Sequence, residues 1–300
     1  MSAETSYGHR AGIVAVVGRP NVGKSTLVNA LVGEKIAIVS DKPQTTRRDI
    51  RAIATTPDVQ LVFTDTPGFH KPRTALGVRL NDLVSDAVEG VDVIVQVVDA
   101  AAGVGRGDAY VFEHQVAGAR AGARICVVNK IDRIRHHEVI PQLAAAGELG
   151  PWDEVVPVSA VGGVGVDTLR DLLVARMPEG PALFPGGEVT DQPMEVRIAE
   201  LVREQALAVT REEVPHSVAV MIEEIEHEPG LERIHASIVV ERDSQKGILI
   251  GKGGQTLKMI GMRARGQIEP LVGERVFLDL RVKVMKEWQR DPKMLDRLGY

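Results

Sequence analysis

Five short apolar runs recur along the first 160 residues, and amphipathic stretches separate them. The runs lie at residues 13–17, 60–64, 93–98, 125–128 and 155–158. Because such runs are apolar on both faces, they predict mainly parallel strands that are covered by helices. Residues 50–56 predict one more strand, joined to the run at 60–64 through Pro57 and Asp58, and therefore an antiparallel edge. The pattern predicts an α/β domain with a mostly parallel sheet and helices on both faces.

Residues 177–193 interrupt this pattern with four prolines and three glycines, which is a linker composition. Beyond them, periodicity predicts a helix, two alternating strands, two helices and a last alternating strand, in the order of a smaller α+β domain. The predicted organisation is a flexible N-terminal tail at 1–10, an α/β domain at 11–177, a linker at 178–193, an α+β domain at 194–285 and a basic C-terminal tail at 286–300.

The net charge of −5 is distributed unevenly along the chain. Residues 187–243 carry fourteen acidic and five basic side chains, whereas residues 244–300 carry twelve basic and six acidic ones. We therefore expect a basic surface for a polyanion near the C-terminal end. The single cysteine, Cys126, cannot form an internal disulfide and indicates a reducing compartment. No segment is typical of a signal peptide or a membrane span, so we expect a cytoplasmic protein.

The sequence GRPNVGKS at residues 18–25 follows a predicted strand and opens a predicted helix, which is the setting of a phosphate-binding loop. We predict that Lys24 bridges the β- and γ-phosphates and that Ser25 supplies an oxygen to Mg²⁺. The alternative is a glycine-rich turn that only joins strand to helix. The residues that we predict to bind the phosphates are Gly18, Arg19, Pro20, Asn21, Val22, Gly23, Lys24, Ser25, Thr26, Asp65 and Gly68.

The sequence DTPG at residues 65–68 ends the second long apolar run. A carboxylate at the carboxyl end of a parallel strand faces the crevice where ligands bind, so Asp65 can hold a Mg²⁺-bound water and the N–H of Gly68 can contact the γ-phosphate. The motif alone is also a good turn. Its position after a phosphate loop is what favours the nucleotide site.

The sequence NKID at residues 129–132 follows the run at 125–128 and indicates the base. The Asp132 carboxylate can accept hydrogen bonds from N1–H and the N2 amine of guanine, whereas adenine has no donor at either position. This pattern argues against an ATP-dependent kinase. Ser159 and Ala160, at the end of the next run, fit a loop whose backbone N–H reaches the guanine O6. The predicted guanine-binding residues are Asn129, Lys130, Asp132, Ser159 and Ala160.

The sequence GKGG at residues 251–254 lies between two predicted helices of the second domain. In an α-β-β-α-α-β order this is the loop with which a type II KH domain clamps a nucleic-acid backbone. A KH fold with a purely structural role is the alternative. Of Ile248, Leu249 and Ile250, at least one is expected to pack in the core. The predicted RNA-binding residues are Lys246, Gly247, Ile250, Gly251, Lys252, Gly253, Gly254, Lys258, Arg263 and Arg265.

The four nucleotide motifs together resemble those of translation-factor-related GTPases, and residues 42–49 resemble the first switch segment of that class. The resemblance implies that a switch threonine completes the Mg²⁺ shell, for which Thr46 is the first choice and Thr45 the second. Ras-like enzymes orient water with a glutamine where this chain has Phe69, so we expect slow turnover. Asn21 resembles the asparagine with which some relatives recruit K⁺. The predicted catalytic residues are Lys24, Thr46, Gly68 and Asn21.

Nearly the whole chain resembles the Era-like family of bacterial GTPases, with landmarks at residues 18–26, 43–47, 65–70, 178–181, 190–193 and 298–300. The resemblance implies a monomer that binds GTP and GDP, hydrolyses GTP, and assists assembly of the small (30S) ribosomal subunit. It also implies that the KH domain binds 16S ribosomal RNA near its 3′ end and that the protein attaches loosely to the inner face of the plasma membrane. The alternatives are a tRNA-modification GTPase, which lacks a KH module, and an RNA chaperone with a vestigial nucleotide site.

Overall fold

The computed structural model describes residues 8–42, 44–69, 72, 74–210 and 214–300. Within these residues the chain forms two compact units. The first comprises the described parts of 1–37, 46–72 and 79–191, and the second those of 38–45, 73–78 and 192–300. Of the predicted N-terminal tail, residues 1–7 lie outside the described residues, and Arg10 already belongs to the first strand.

The first unit contains a six-stranded sheet in the order β2-β3-β1-β4-β5-β6. Only β2 is antiparallel to its neighbour, with Ile50 opposite Asp65, so the predicted mostly parallel sheet with an antiparallel edge is confirmed. The strands are Arg10–Gly18 (β1), Ile50–Thr55 (β2), Val59–Asp65 (β3), Val93–Asp99 (β4), Ala123–Asn129 (β5) and Glu154–Val158 (β6). The helices in this part of the chain are Lys24–Val32 (α1), Ala75–Ala87 (α2), Arg106–Val111 (α3), His136–Gly147 (α4) and Val166–Arg176 (α5).

Successive residues of β1 alternate between two apolar clusters. Val14 and Val16 pack in a cluster with residues of α1 and α5, whereas Ala15 and Val17 pack in a second cluster on the other face. Because both faces are covered, residues 11–18 of this strand carry no polar side chain. The parallel strands β1, β3, β4, β5 and β6 therefore end at one edge of the sheet, where ligands bind in folds of this kind.

The predicted linker at 178–193 is attached to the first unit for most of its length. The buried Gln60 accepts hydrogen bonds at Oε1 from the N–H groups of Leu183 (2.7 Å) and Phe184 (2.9 Å), and its Nε2 donates to the Phe184 carbonyl (3.0 Å). The N–H of Ile53 also donates to the Val189 carbonyl (2.8 Å). The unit therefore extends to residue 191. A buried amide needs partners, and this segment provides them.

The second unit contains a three-stranded sheet in which β8 lies between β7 and β9. β7 is antiparallel and β9 parallel to β8, which confirms the predicted smaller α+β fold. The strands are Ala219–Glu228 (β7), Leu231–Val240 (β8) and Arg275–Val284 (β9). The helices are Met194–Val209 (α6), Asp243–Ile250 (α7), Gln255–Val272 (α8) and Pro292–Arg297 (α9).

The segment 286–300, predicted to be a basic tail, is folded into this second unit. Trp288 is 0% exposed, its indole N–H donates to the Ser217 carbonyl (3.1 Å), and its ring stacks on Tyr300 at a centroid distance of 5.8 Å. Leu295 and Leu298, on or next to α9, are also buried. The charge pattern predicts a basic tail at these positions, but the apolar residues recur at helical spacing and bury one face.

We expect Trp288→Ala to destabilise the second unit by about 3–5 kcal/mol, because the change removes a buried ring and leaves a cavity. Hydrogen exchange of the β7–β9 amides should accelerate accordingly. Lys293→Ala, an exposed change in the neighbouring helix α9, is the control and should leave these rates as they are. Equal exchange rates in the Trp288 variant and the unmodified protein would contradict a packing role for this segment.

Candidate nucleotide site and nucleic-acid groove

The phosphate loop follows β1 and holds Lys24 at the first position of α1. The Lys24 Nζ donates to the carbonyls of Gly18 and Arg19, both at 3.1 Å. Burial lowers the pKa of Lys24 to about 8, although the charge of Asp65 opposes the shift. The direct partners of the ammonium are therefore neutral oxygens. Burial of the charged group costs free energy, which the negative charge of a bound phosphate would offset.

Three oxygens converge beside this lysine, from Ser25, Thr46 and Asp65. The hydroxyls of Ser25 and Thr46 are 2.9 Å apart, and the Thr46 hydroxyl donates to Asp65 Oδ2 at 3.4 Å. Two ligands at neighbouring corners of a Mg²⁺ octahedron, each roughly 2.0–2.1 Å from the ion, are about 2.9 Å apart. The spacing of the two hydroxyls therefore fits direct ligands of one magnesium ion.

Asp65 supplies the negative charge of this cluster. It is 0% exposed, and its Oδ1 is buried without a hydrogen-bond partner. Burial raises the pKa of Asp65 to about 6, while hydrogen bonds from Ser25 and Thr46 and the charge of Lys24 act in the opposite direction. A cation, or a water bound to it, would satisfy the orphaned oxygen and favour the ionised carboxylate. The residues present thus fit a magnesium ion.

The structure separates the two candidate switch threonines. Thr46 belongs to the first unit and points its hydroxyl at Ser25. Thr45 belongs to the second unit, where its hydroxyl donates to the Lys42 carbonyl (2.7 Å) and its own carbonyl accepts a hydrogen bond from Arg203. The two hydroxyls therefore have different partners, and only that of Thr46 lies in the cluster with Ser25 and Asp65.

Gly68 and Phe69, which follow β3, lie against the phosphate loop. The N–H of Phe69 donates to the Gly18 carbonyl (3.2 Å), and a Cβ added to Gly68 would lie 2.6 Å from Pro20 Cα. Only glycine allows this approach. The Phe69 ring is buried and stacks on Tyr110 at 5.6 Å. It therefore offers no hydrogen bond to a water at the site. His70, a landmark of the sequence resemblance, lies outside the described residues.

The guanine motif follows β5 and supports the phosphate loop as well as the predicted base site. Asn129 Nδ2 donates to the Val22 carbonyl (3.0 Å). Lys130 Nζ donates to the Asn21 carbonyl (2.5 Å) and to Asp99 Oδ2 (2.6 Å). Sequence reasoning missed Asp99, although its position at the carboxyl end of β4 was a usable signal. These contacts join the predicted base site to the loop around Asn21, Val22 and Gly23.

Asp132 is held from one side by Ser159, whose hydroxyl donates to Asp132 Oδ1 at 2.6 Å. The carboxylate is exposed, so a bound base would have to cover it before it became buried. The N–H of Ala160, which we expected to face the guanine O6, donates instead to Asn129 Oδ1 (3.1 Å). The structure brings the predicted residues together. Ser159 donates to Asp132 Oδ1 and not to Oδ2. The last predicted phosphate residue, Thr26, is half-buried on α1.

The GKGG loop joins α7 to α8, and Gly251, Gly253 and Gly254 all have positive φ angles. Lys252 is exposed at its tip. Beside the loop lies a groove of about 510 Å³ between α8 and β9. Its lining residues are Gly254, Leu257, Lys258, Gly261, Met262, Arg265, Phe277, Leu278 and Leu280. The lining is mostly apolar and includes two basic side chains, Lys258 and Arg265.

The structure places only three of the predicted RNA-binding residues in this groove, namely Gly254, Lys258 and Arg265. Gly247 is exposed and Lys246 half-buried on α7, Arg263 is exposed on α8, and Ile250 packs against the core. Leu249 is fully buried, as expected for at least one residue of its run. Sequence reasoning missed the apolar lining from α8, whose signal was Leu257 and Gly261 four residues apart between basic side chains.

The described parts of the chain were searched for clusters of metal-binding side chains and for membrane-spanning helices. Across these ranges, no group of three or more His, Cys, Asp or Glu side chains is placed to hold a metal ion. None of the helices in the described ranges combines the length and apolar character that crossing a bilayer requires.

Comparison with known proteins relates both units to one family. Residues 13–130 match a family described as 50S ribosome-binding GTPase, and residues 213–289 match the KH domain family. GTPase Era of Mycolicibacterium smegmatis is 52% identical over 295 residues, covering 97% of this chain and 99% of the relative.

Two solved structures are similar over the same extent. A crystal structure of Era with MgGDPNP and nucleotides 1506–1542 of 16S ribosomal RNA superposes with a TM-score of 0.94 at 39% identity. A single-residue variant of Aquifex aeolicus Era bound to GDP·AlF4⁻ gives 0.92 at 39% identity. Each covers 97% of this chain and 99% of its own.

Proposed function

Because this chain belongs to the Era family of GTPases, we propose that it is a GTP-dependent switch that binds 16S ribosomal RNA through its KH unit and assists assembly of the 30S subunit. The proposal rests on two sites found in one chain. One is the cluster of oxygens from Ser25, Thr46 and Asp65 beside Lys24, and the other is the groove with basic side chains beside the GKGG loop. A relative of 39% identity was crystallised with both kinds of ligand.

In the proposed nucleotide site, Lys24 binds the β- and γ-phosphates while the Gly18 and Arg19 carbonyls orient its ammonium. Ser25 and Thr46 hold Mg²⁺ directly and Asp65 holds it through water. When bound, the ion supplies positive charge where negative charge builds up during phosphoryl transfer. Gly68, packed on Pro20, presents its backbone N–H to the γ-phosphate. Asn129, Lys130 and Asp132, with Ser159 and Ala160, form the proposed guanine site.

Intrinsic hydrolysis by this site is proposed to be slow. The position that carries a water-orienting glutamine in Ras-like enzymes holds Phe69, whose ring packs on Tyr110. We propose that K⁺ bound beside Asn21 supplies the positive charge that an arginine finger supplies in other GTPases. The positive φ of Asn21 (63°) and its exposed position support this role, because they leave the residue at the surface of the phosphate loop.

The proposed coupling to RNA runs through the first switch segment. Residues 38–42, 44 and 45, which lead into this segment and include its start, belong to the second unit, whereas Thr46 belongs to the first. In the second unit, Arg203 of α6 donates to the Thr45 carbonyl, and Glu204 accepts from the N–H of Val39 (2.9 Å). A nucleotide that fixes the position of Thr46 therefore also affects the position of the preceding residues, to which α6 is hydrogen-bonded. Hydrolysis would release the segment and with it the RNA-competent arrangement.

RNA binding can be tested with Lys252→Asp at the GKGG loop, using single-stranded RNA with the 3′-terminal sequence of 16S ribosomal RNA. We expect affinity to fall roughly tenfold or more and the salt slope to decrease by about one, because a phosphate contact is replaced by repulsion. The matched control is Lys293→Asp, which makes the same charge change at an exposed position of α9. Equal losses in both variants, or none in either, would refute an RNA site at this loop.

We also propose a cytoplasmic monomer that attaches loosely to the inner face of the plasma membrane, as the sequence resemblance implies. Co-sedimentation with anionic and neutral vesicles tests the attachment, and light scattering tests the monomer. Measuring GTP turnover with and without the RNA separates the proposed switch from an RNA chaperone with a vestigial site. The chaperone predicts no turnover in either condition.

A further inference from the structure

The Arg19 side chain, in the second position of the phosphate loop, turns away from the nucleotide site and binds the start of α3. Its Nε donates to Asp108 Oδ1 at 2.7 Å, and its Nη2 donates to the Gly103 carbonyl at 3.3 Å. The Arg19 side chain also packs closely on Gly107. A Cβ added to Gly107 would lie 2.5 Å from Arg19 Cδ. The loop is therefore anchored to an element 89 residues away in the sequence.

Asp108 is a fixed point for this anchor. It is 0% exposed, its second oxygen accepts from the Gly105 N–H (2.9 Å), and its carbonyl accepts from buried Gln96 (2.9 Å). Both carboxylate oxygens are thus occupied, by Arg19 and by the backbone of α3. A buried ionised carboxylate is tolerated when it is paired and hydrogen-bonded in this way.

The anchored residue is also the one that orients the phosphate-binding lysine. The Arg19 carbonyl accepts a hydrogen bond from Lys24 Nζ (3.1 Å), and the next residue, Pro20, packs against Gly68 of the DTPG motif. A shift of Arg19 would move both contacts. Small displacements of groups that bind the transferred phosphate reduce turnover strongly.

We propose that Asp108 is a positioning residue for GTP hydrolysis, acting through Arg19 on Lys24 and on the contact between Pro20 and Gly68. The competing explanation is that Asp108 only caps α3, through the Gly105 N–H. Arg19→Ala separates the two, because it removes the anchor and leaves the cap intact. The proposal depends on the GTPase activity and is independent of RNA binding.

The test is a double-mutant cycle of Arg19→Ala and Asp108→Asn in the full chain, with kcat and KM for GTP and affinities for GDP and a non-hydrolysable GTP analogue. We expect each single variant to lower kcat about tenfold, the value of one charge-assisted hydrogen bond. The double variant should be no slower than the slower single one. Affinity for the GTP analogue should fall more than affinity for GDP, because Lys24 contacts the γ-phosphate only in the former.

Two further variants complete the experiment. Arg19→Lys keeps a cation opposite Asp108 and should recover part of the lost kcat. Arg176→Ala removes an ion pair with Glu154, at the opposite end of the sheet from the proposed site, and should leave kcat as it is. Arg19→Ala with unchanged kcat and an unchanged ratio of the two affinities would overturn the proposal. So would single effects that multiply in the double variant, because they would show that Arg19 and Asp108 act separately.

Discussion

Asp132→Asn should lower the affinity for GTP by about a thousandfold and raise the affinity for xanthosine triphosphate, which reverses the base preference. Guanine presents two donors, N1–H and the N2 amine, and a carboxylate accepts from both. Asparagine accepts from N1–H but turns its own amide donor toward the N2 amine, so two donors face each other. Xanthine has a carbonyl at that position, which accepts from the asparagine amide.

The structure fixes the orientation of this carboxylate. The Ser159 hydroxyl donates to Asp132 Oδ1 and holds the side chain, and both carboxylate oxygens keep lone pairs that can accept from the base. Nucleotide affinities measured by competition with a fluorescent GDP analogue, over GTP, xanthosine triphosphate and ATP, check the result. Asp167→Asn, an exposed change on α5, is the control and should leave all three affinities as they are. A variant at 132 that still prefers GTP over xanthosine triphosphate would refute the assignment of Asp132.

Thr46→Ala should reduce GTP hydrolysis about a hundredfold and remove most of the Mg²⁺-dependent preference for GTP over GDP. The change deletes one of two hydroxyls that are spaced for neighbouring magnesium ligands. It also leaves Asp65 without the hydrogen bond from Thr46. Single-turnover hydrolysis measured across a magnesium titration checks both effects.

Thr45→Ala is the matched control, because it deletes the same atoms from the adjacent residue. Its hydroxyl is bonded to the Lys42 carbonyl, and the Thr45 carbonyl that accepts from Arg203 is retained in the variant. Turnover should therefore stay within about threefold of the unmodified protein, since only a neutral hydrogen bond is lost. A larger loss in the Thr45 variant than in the Thr46 variant would reverse the assignment of the magnesium ligand.

The segments 178–193 and 286–300 both make contacts with folded parts of the chain that their local sequence patterns did not indicate. Proline and glycine predict an irregular backbone between 178 and 193, and the backbone there is indeed irregular. Its attachment follows from Gln60, a polar residue inside an apolar run whose amide requires partners that no local pattern identifies. In the segment 286–300, counting charges obscured Trp288 and Leu295, which are buried.

The groove beside the GKGG loop also combines features that the sequence predicted with features that it did not. The order of elements and the GKGG loop predicted the KH fold, because both depend on local periodicity and on backbone conformations that glycine adopts. The lining came largely from residues that were not predicted, such as Met262 and Phe277, which lie on elements joined by packing. Which face of α8 meets β9 is decided by the core of the whole unit.

The sequence by itself determined the parallel sheet, its antiparallel edge, the phosphate loop and the guanine motif. These features are local: a strand buried on both faces is mostly apolar, and a loop that binds phosphate needs glycine, lysine and serine at fixed spacing. Only the tertiary structure decided that Thr46 rather than Thr45 faces Ser25, and that Arg19 is held by Asp108. Side-chain direction and partners distant in sequence depend on how the elements pack, which local patterns do not encode.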